Sequence, residues 1–192
     1  MSKSEQTRKR ILDATAICFS KIGVEKTSIT QIAQQAETSR ALVAHYFPVK
    51  DEMFLEVVRH LSRKFGEELK RLSHDGDSRL VANLRANLNF FIDTPENFKT
   101  FFLFYYYASL RRDYRELNTR MTEQTISRFA ADLRYHYIKV GRAPVTEEES
   151  RRTASMIHRE LIGSIQQFFI TEHQDNPEKF KKQVVETCMQ LI

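Results

Sequence analysis

Residues suited to meeting a nucleic acid crowd into one short stretch of this sequence. Arg40 can reach guanine or phosphate, His45 a base edge and Tyr46 a phosphate oxygen. Ala41, Leu42 and Ala44 lie between them, and small side chains let a backbone come close to DNA. Ser28 and Lys50 fall where helices begin, so unbonded amides and the helix dipole favour phosphate there; Ser39 stands just ahead of Arg40. Other chemistries find no matching set. There is no Gly-rich phosphate loop, no nucleophile elbow and no metal-ligand spacing among six His and two Cys. The expectation is therefore a binding protein, not an enzyme, with no cofactor and no metal.

Those side chains need elements to hold them. Ile11, Leu12, Thr15, Cys18, Phe19 and Ile22 fall at helical spacing, with Gly23 as the stop, behind a polar, net basic lead from Lys3 to Arg10. Ser28 and Gln31 have capping-box spacing and open a short helix with Ile29, Ile32, Ala33 and Ala36 as its stripe. Only Glu37 and Thr38 separate it from a third helix, capped by Thr38 or Ser39 and halted before Pro48. Val43 and Phe47 are expected to point inward and anchor it. Two short helices on a tight turn, braced on either side, make a helix-turn-helix reader for a major groove about 12 Å wide.

Lys50 opens a long fourth helix with Met53, Phe54, Val57, Val58, Leu61, Phe65, Leu69 and Leu72 as its stripe. The run His74, Asp75, Gly76 and Asp77 is its expected end. Further helices follow: Leu80–Ile92, one opened by Pro95, Arg112–Val140, one capped by Thr146 with Glu149, and a last one opened by Asn176 and Pro177. With 5 Gly and 4 Pro in 192 residues, the composition favours helices throughout. The net charge of +5 is compatible with a polyanionic partner. Two distant cysteines make no disulfide framework, no leader segment is read at the start, and the longest uncharged stretch, Thr100 to Leu110, is about half of the ~20 residues needed to span a bilayer. The expected location is the cytoplasm, with no membrane partner.

Residues Ile11 to Val58 resemble the N-terminal domain of the TetR family of bacterial repressors. The shared features are I-L-x-A…F-x-x-x-G in the first helix, T-S-I-x-x-I-A in the second, H-Y-F closing the third and F-x-x-K-[DE]-E opening the fourth. The S-x-x-x-x-x-H-Y-F version is most similar to the branch that controls choline and betaine genes. Two positions depart from the pattern: Glu37 and Ala41 stand where glycine is common. A left-handed backbone at Glu37 would cost about 1–2 kcal/mol.

The resemblance implies an all-α protein. Residues 1–49 would be a three-helix DNA-binding domain with the helix-turn-helix, and residues 50–192 a helical effector-binding and dimerisation domain. It implies a homodimer on palindromic operator DNA, released by an unknown small-molecule effector. The DNA-binding residues would be Ser28, Ser39, Arg40, Ala41, Leu42, Ala44, His45, Tyr46 and Lys50. The dimer would be built on the last two helices, with Ile165, Phe168, Phe169, Val184 and Cys188 at the interface. The effector would lie against the helix from Pro95, aromatic or apolar on all sides, at Phe102, Tyr105 and Tyr106, with His158 as a polar handle. The alternative is a DNA-bound regulator with no small-molecule effector, controlled by a protein partner.

Overall fold

In the computed structural model, residues 2–72, 78–171 and 176–192 are described; among them there are nine helices and no strand. The first helix, α1 (Lys3–Ile22), begins a full eight residues before Ile11, because Ser2 and Glu5 form a capping box. It stops at Gly23, whose φ of 82° suits a residue without a side chain. Then come α2 (Ile29–Gln35) and α3 (Arg40–Tyr46), seven residues each.

The long α4 (Lys50–Leu72) starts just past Pro48. The expected stop at His74, Asp75, Gly76 and Asp77 lies outside the described residues. The remaining helices are α5 (Arg79–Ile92), α6 (Pro95–Leu110), α7 (Arg112–Lys139), α8 (Glu147–Ile170) and α9 (Pro177–Gln190). The caps expected for the last two are present: Thr146 with Glu149, and Asn176 accepting from the Lys179 amide.

The chain divides into two compact units. The first comprises Met1–Glu67 and Thr94–Tyr114, so it joins the helix-turn-helix and most of α4 to α6 and the start of α7. In it α6 packs on α1, α1 on α2 and α2 on α3. Its centre is a chain of rings: Phe19 to Phe54, Phe54 to Tyr107 and Tyr114, and Tyr114 to Phe104, with centroids 5.5–6.0 Å apart, the spacing of edge-on and tilted aromatic pairs.

The second unit comprises Glu68–Asp93 and Arg115–Ile192. Here α5, α8 and α9 pack on one another, and Leu80, Leu84, Leu88, Phe129, Leu133, Ile157 and Leu161 are buried. Among the described residues no helix is long and apolar enough to cross a membrane.

Candidate nucleic-acid interface

The interface is built on the turn between α2 and α3. Ser28 caps α2 reciprocally with Gln31: its Oγ accepts from the Gln31 amide, and Gln31 Oε1 accepts from the Ser28 amide at 2.8 Å. After α2 the Thr38 amide bonds to the Ala33 carbonyl and the Glu37 amide to the Gln34 carbonyl. That pair of bonds is a Schellman motif, which places Glu37 in the left-handed region, with φ 50°. The left-handed backbone considered from the sequence is therefore present, and a glutamate bears it where glycine would be unstrained. The turn is short because Ser39 follows at once, its Oγ accepting from the Leu42 amide at 3.1 Å.

Between these caps α3 turns one side inward and the other out. Val43 is fully buried and Phe47 nearly so, as the spacing predicts. Arg40, Ala41, Ala44 and His45 are exposed, while Leu42 and Tyr46 are half-buried. The His45 and Tyr46 rings meet edge to face at 5.5 Å. Small residues, an arginine and two polar rings are thus presented together, with Ser39 exposed at the near end.

Lys50 has a further task. Its Nζ donates to the Glu25 carbonyl at 2.9 Å, tying the start of α4 to the loop after α1. Ser28 likewise spends its hydroxyl within the cap, accepting from one Gln31 group and donating to another. A phosphate at the start of α2 would meet backbone amides more than this side chain.

Two residues not read as functional from the sequence also belong here. Ser4 Oγ lies 2.8 Å from the Tyr46 hydroxyl. Arg8 donates to the Glu56 carboxylate and lies 5.1 Å from the Phe47 ring centroid. Burial would raise the Glu56 carboxyl, but hydrogen bonds from Arg8 and Arg59 hold it below its ordinary value. The signal that could have found them is Ser2-x-x-Glu5. That capping box extends α1 backward and sets Ser4 and Arg8 four residues apart, on one face. The basic lead from Lys3 to Arg10 is a helix, not a loose arm.

The other residues read from the sequence are not gathered in this way. Phe102 and Tyr106 of α6 are exposed, at 48% and 58%. Phe102 stacks on Phe98 at 5.6 Å. Tyr105 is half-buried beside Phe101 and Phe104, and burial pushes its phenol up to about 12. His158 belongs to the second unit; burial, reinforced by Arg159, lowers its pKa.

The expected dimer residues face mostly into their own chain. Ile165, Phe168, Val184 and Cys188 are buried within the single chain, and only Phe169 of the five is half-buried. Phe168 packs on Phe180 at 5.0 Å. Four-residue spacing marks a buried face but does not say whether it meets its own chain or another. The apolar residues that α8 leaves outward are Met156 and Ile170, with Ile162 and Phe169 half-buried.

Comparisons with known proteins agree with this geometry. Residues 11–57 match the family described as bacterial regulatory proteins, tetR family. The chain is similar to the HTH-type transcriptional regulator BetI of Brucella anthropi, 29% identical over 113 residues, covering 57% of this chain. The match spans 58% of that relative's length. In fold it is similar to a transcriptional regulator from Saccharomonospora viridis in complex with choline, with TM-score 0.78, 16% identity and 96% of each chain covered. It is also similar in fold to a SmeT–triclosan complex, with TM-score 0.68, 20% identity and 96% and 90% of the two chains covered.

Proposed function

The chain belongs to the tetR family of bacterial regulatory proteins through its N-terminal domain, and on that premise we propose that it is a transcriptional repressor, a homodimer that reads a palindromic operator with α3 and is released by a small molecule. The observation that carries the reading is α3 itself. Seven residues, capped at the start and anchored by Val43 and Phe47, present Arg40, Ala41, Ala44 and His45 outward. A two-turn helix of that make-up fits the major groove, where Arg40 meets guanine or phosphate and His45 a base edge.

In this reading residues 1–49 are the DNA-reading part and residues 50–192 the sensing and dimerising part. The dimer sets two copies of α3 about 34–36 Å apart, in successive major grooves. The outward apolar residues of α8, Met156, Ile162, Phe169 and Ile170, form the contact. The effector binds in the sensing part, and the aromatic rings of α6 supply its contacts. A quaternary ammonium compound suits aromatic rings through their quadrupoles, and choline is the ligand named for a protein of similar fold.

The test is selection from a pool of random duplexes by the full-length protein. The expected product is a palindrome whose half-sites lie one helical turn apart, bound more weakly as salt rises. The His45→Ala variant should lose preference at one base position per half-site, by about 1–3 kcal/mol. A pool in which no sequence enriches overturns the reading. Choline added to the selected complex then tests the effector: release at a saturable concentration supports it, and unchanged affinity removes choline.

A further inference from the structure

We infer that Ser4 and Arg8 are positioning residues of the reader: from the first turns of α1 they set the angle at which α3 is held, without serving as phosphate contacts themselves. The inference rests on the proposed reading of DNA by α3.

A helix of seven residues does not hold itself; its orientation comes from what its ends touch. The start of α3 is fixed by the Ser39 cap and the Schellman turn. The far end has no such motif. Phe47 leaves the helical region with φ −139° and ψ 79°, and Pro48 follows. What grips that end is α1. Ser4 Oγ is 2.8 Å from the Tyr46 hydroxyl, and one turn later Arg8 lies 5.1 Å from the Phe47 ring centroid. Consecutive residues at the end of the reader are therefore each held by one of two residues on the same face of α1.

Arg8 also reaches α4. Its guanidinium donates to Glu56, whose other carboxylate oxygen accepts from Arg59 at 2.8 Å. A planar guanidinium can stack on a ring through its face and hydrogen-bond through its edge at once, which an ammonium cannot do. One side chain so links α1, the end of α3 and α4. Arg8 is half-buried, its guanidinium turned to a carboxylate and a ring. With Ser4 as donor, its bond holds the Tyr46 oxygen in place and leaves the phenol its own O–H to give to a phosphate oxygen.

The experiment uses the full chain and two duplexes: the sequence wild type enriches from a random pool, and a scrambled duplex of equal length. The variants are Arg8→Lys, Arg8→Met, Ser4→Ala, Tyr46→Phe and the Ser4→Ala/Tyr46→Phe pair, each checked by thermal melting to be folded at the assay temperature. Arg8→Lys keeps the charge, so it stays informative if Arg8→Met does not fold. The expected result for Arg8→Lys is a fall of roughly tenfold in the ratio of selected to scrambled affinity, with the slope of log affinity against log salt unchanged. Ser4→Ala and Tyr46→Phe should be non-additive, because they remove the same bond. The inference is overturned if Arg8→Lys matches wild type while Arg8→Met weakens both duplexes alike and lowers the salt slope by about one, the behaviour of a phosphate contact. It is also overturned if all variants keep the wild-type ratio. Failure of wild type to enrich any duplex is a separate result, involving no variant, and removes the DNA reading together with this inference.

Discussion

At the centre of the first unit the side chains are rings: Phe19, Phe54, Phe104, Tyr107 and Tyr114. Thr15 and Thr100 turn their hydroxyls back onto their own helices, to the Ile11 and Glu96 carbonyls. The second unit buries polar groups that bond from one helix to another. Asn83 on α5 donates to Asp132 on α7, and Lys181 reaches back from α9 to Asp93 at the end of α5; within α5, Asn87 donates to Asn83. The first unit has comparable contacts in His60 with Asp13 at 3.0 Å and in Arg8 with Glu56. The difference teaches where each unit keeps its specificity. The first packs a chain of rings at its centre and keeps the polar side chains of α3 outside, where they can meet a partner. The second fixes the register of its helices with polar contacts that cost desolvation.

If that contrast is right, the first unit should suffer most from lost volume. Phe54 is fully buried and touches the rings of Phe19, Tyr107 and Tyr114. Phe54→Ala should cost about 3–5 kcal/mol, measured by urea unfolding. A loss under 1 kcal/mol would mean that the ring chain is not what holds this unit. The second unit should suffer most from a lost partner. Asn83→Ala takes the amide donor from Asp132 and one of two acceptors from Asn87, and should cost about 1–3 kcal/mol although it removes little volume.

The first unit was also the more legible in sequence, for a physical reason. Its signals are local: Ser28 with Gln31, Ser39 before a short helix, Gly23 as a stop and Glu37 where glycine is usual. Each is decided by neighbours a few residues away. So α2 and α3 fall where expected, and Arg40, Ala41, Ala44 and His45 face outward, while Leu42 and Tyr46 of the same set are half-buried. Ser4 and Arg8 were missed because their partners, Tyr46 and Glu56, are more than forty residues distant. In the second unit the helices were readable from periodicity, but the facing of α8 and α9 was not. Phe168 and Cys188 repeat at helical spacing whether they meet a second copy or, as found, their own chain. The bond from Asn83 to Asp132 is non-local too, 49 residues apart in the chain.

A gain of stability is expected at the turn of the reader. Glu37 carries φ 50°, and Glu37→Gly relieves that strain while adding chain entropy to the unfolded state, so the net gain should be about 1 kcal/mol or less. The same change removes a negative charge from the turn leading into α3. Operator affinity should rise with stability, and more at low salt than at high. A melting point that falls for Glu37→Gly would show that contacts of the glutamate side chain outweigh the strain.

The smallest effects, in acid, set the two units against each other most directly. In the second unit burial raises the Asp132 carboxyl above its ordinary value, against the opposing pull of Asn83, Arg128 and Arg79. In the first unit Arg8 and Arg59 overcome burial and lower that of Glu56. The signs then follow from proton linkage. A raised folded-state pKa means that the folded protein takes up its proton first as pH falls. The ionised Asp132 therefore costs stability at neutral pH, and the cost is relieved as pH falls through the raised value towards about 4. Asp132→Asn keeps an oxygen to accept from Asn83 but removes the buried charge, so at pH 7 it should match or exceed wild type by up to about 0.5 kcal/mol. A lowered pKa works the other way. The stabilisation from Glu56 is present above about 4 and is lost as pH falls through the lowered folded value. Glu56→Gln should therefore be less stable than wild type at pH 7, and the deficit should close only in stronger acid. Urea unfolding of both variants from pH 7 down to pH 3 checks the pair. Opposite signs at neutral pH, with both differences shrinking in acid, support the contrast between the units. If both substitutions shift stability in the same direction at pH 7, the Asp132 site of the second unit is no more costly than the Glu56 pair of the first, and the contrast fails.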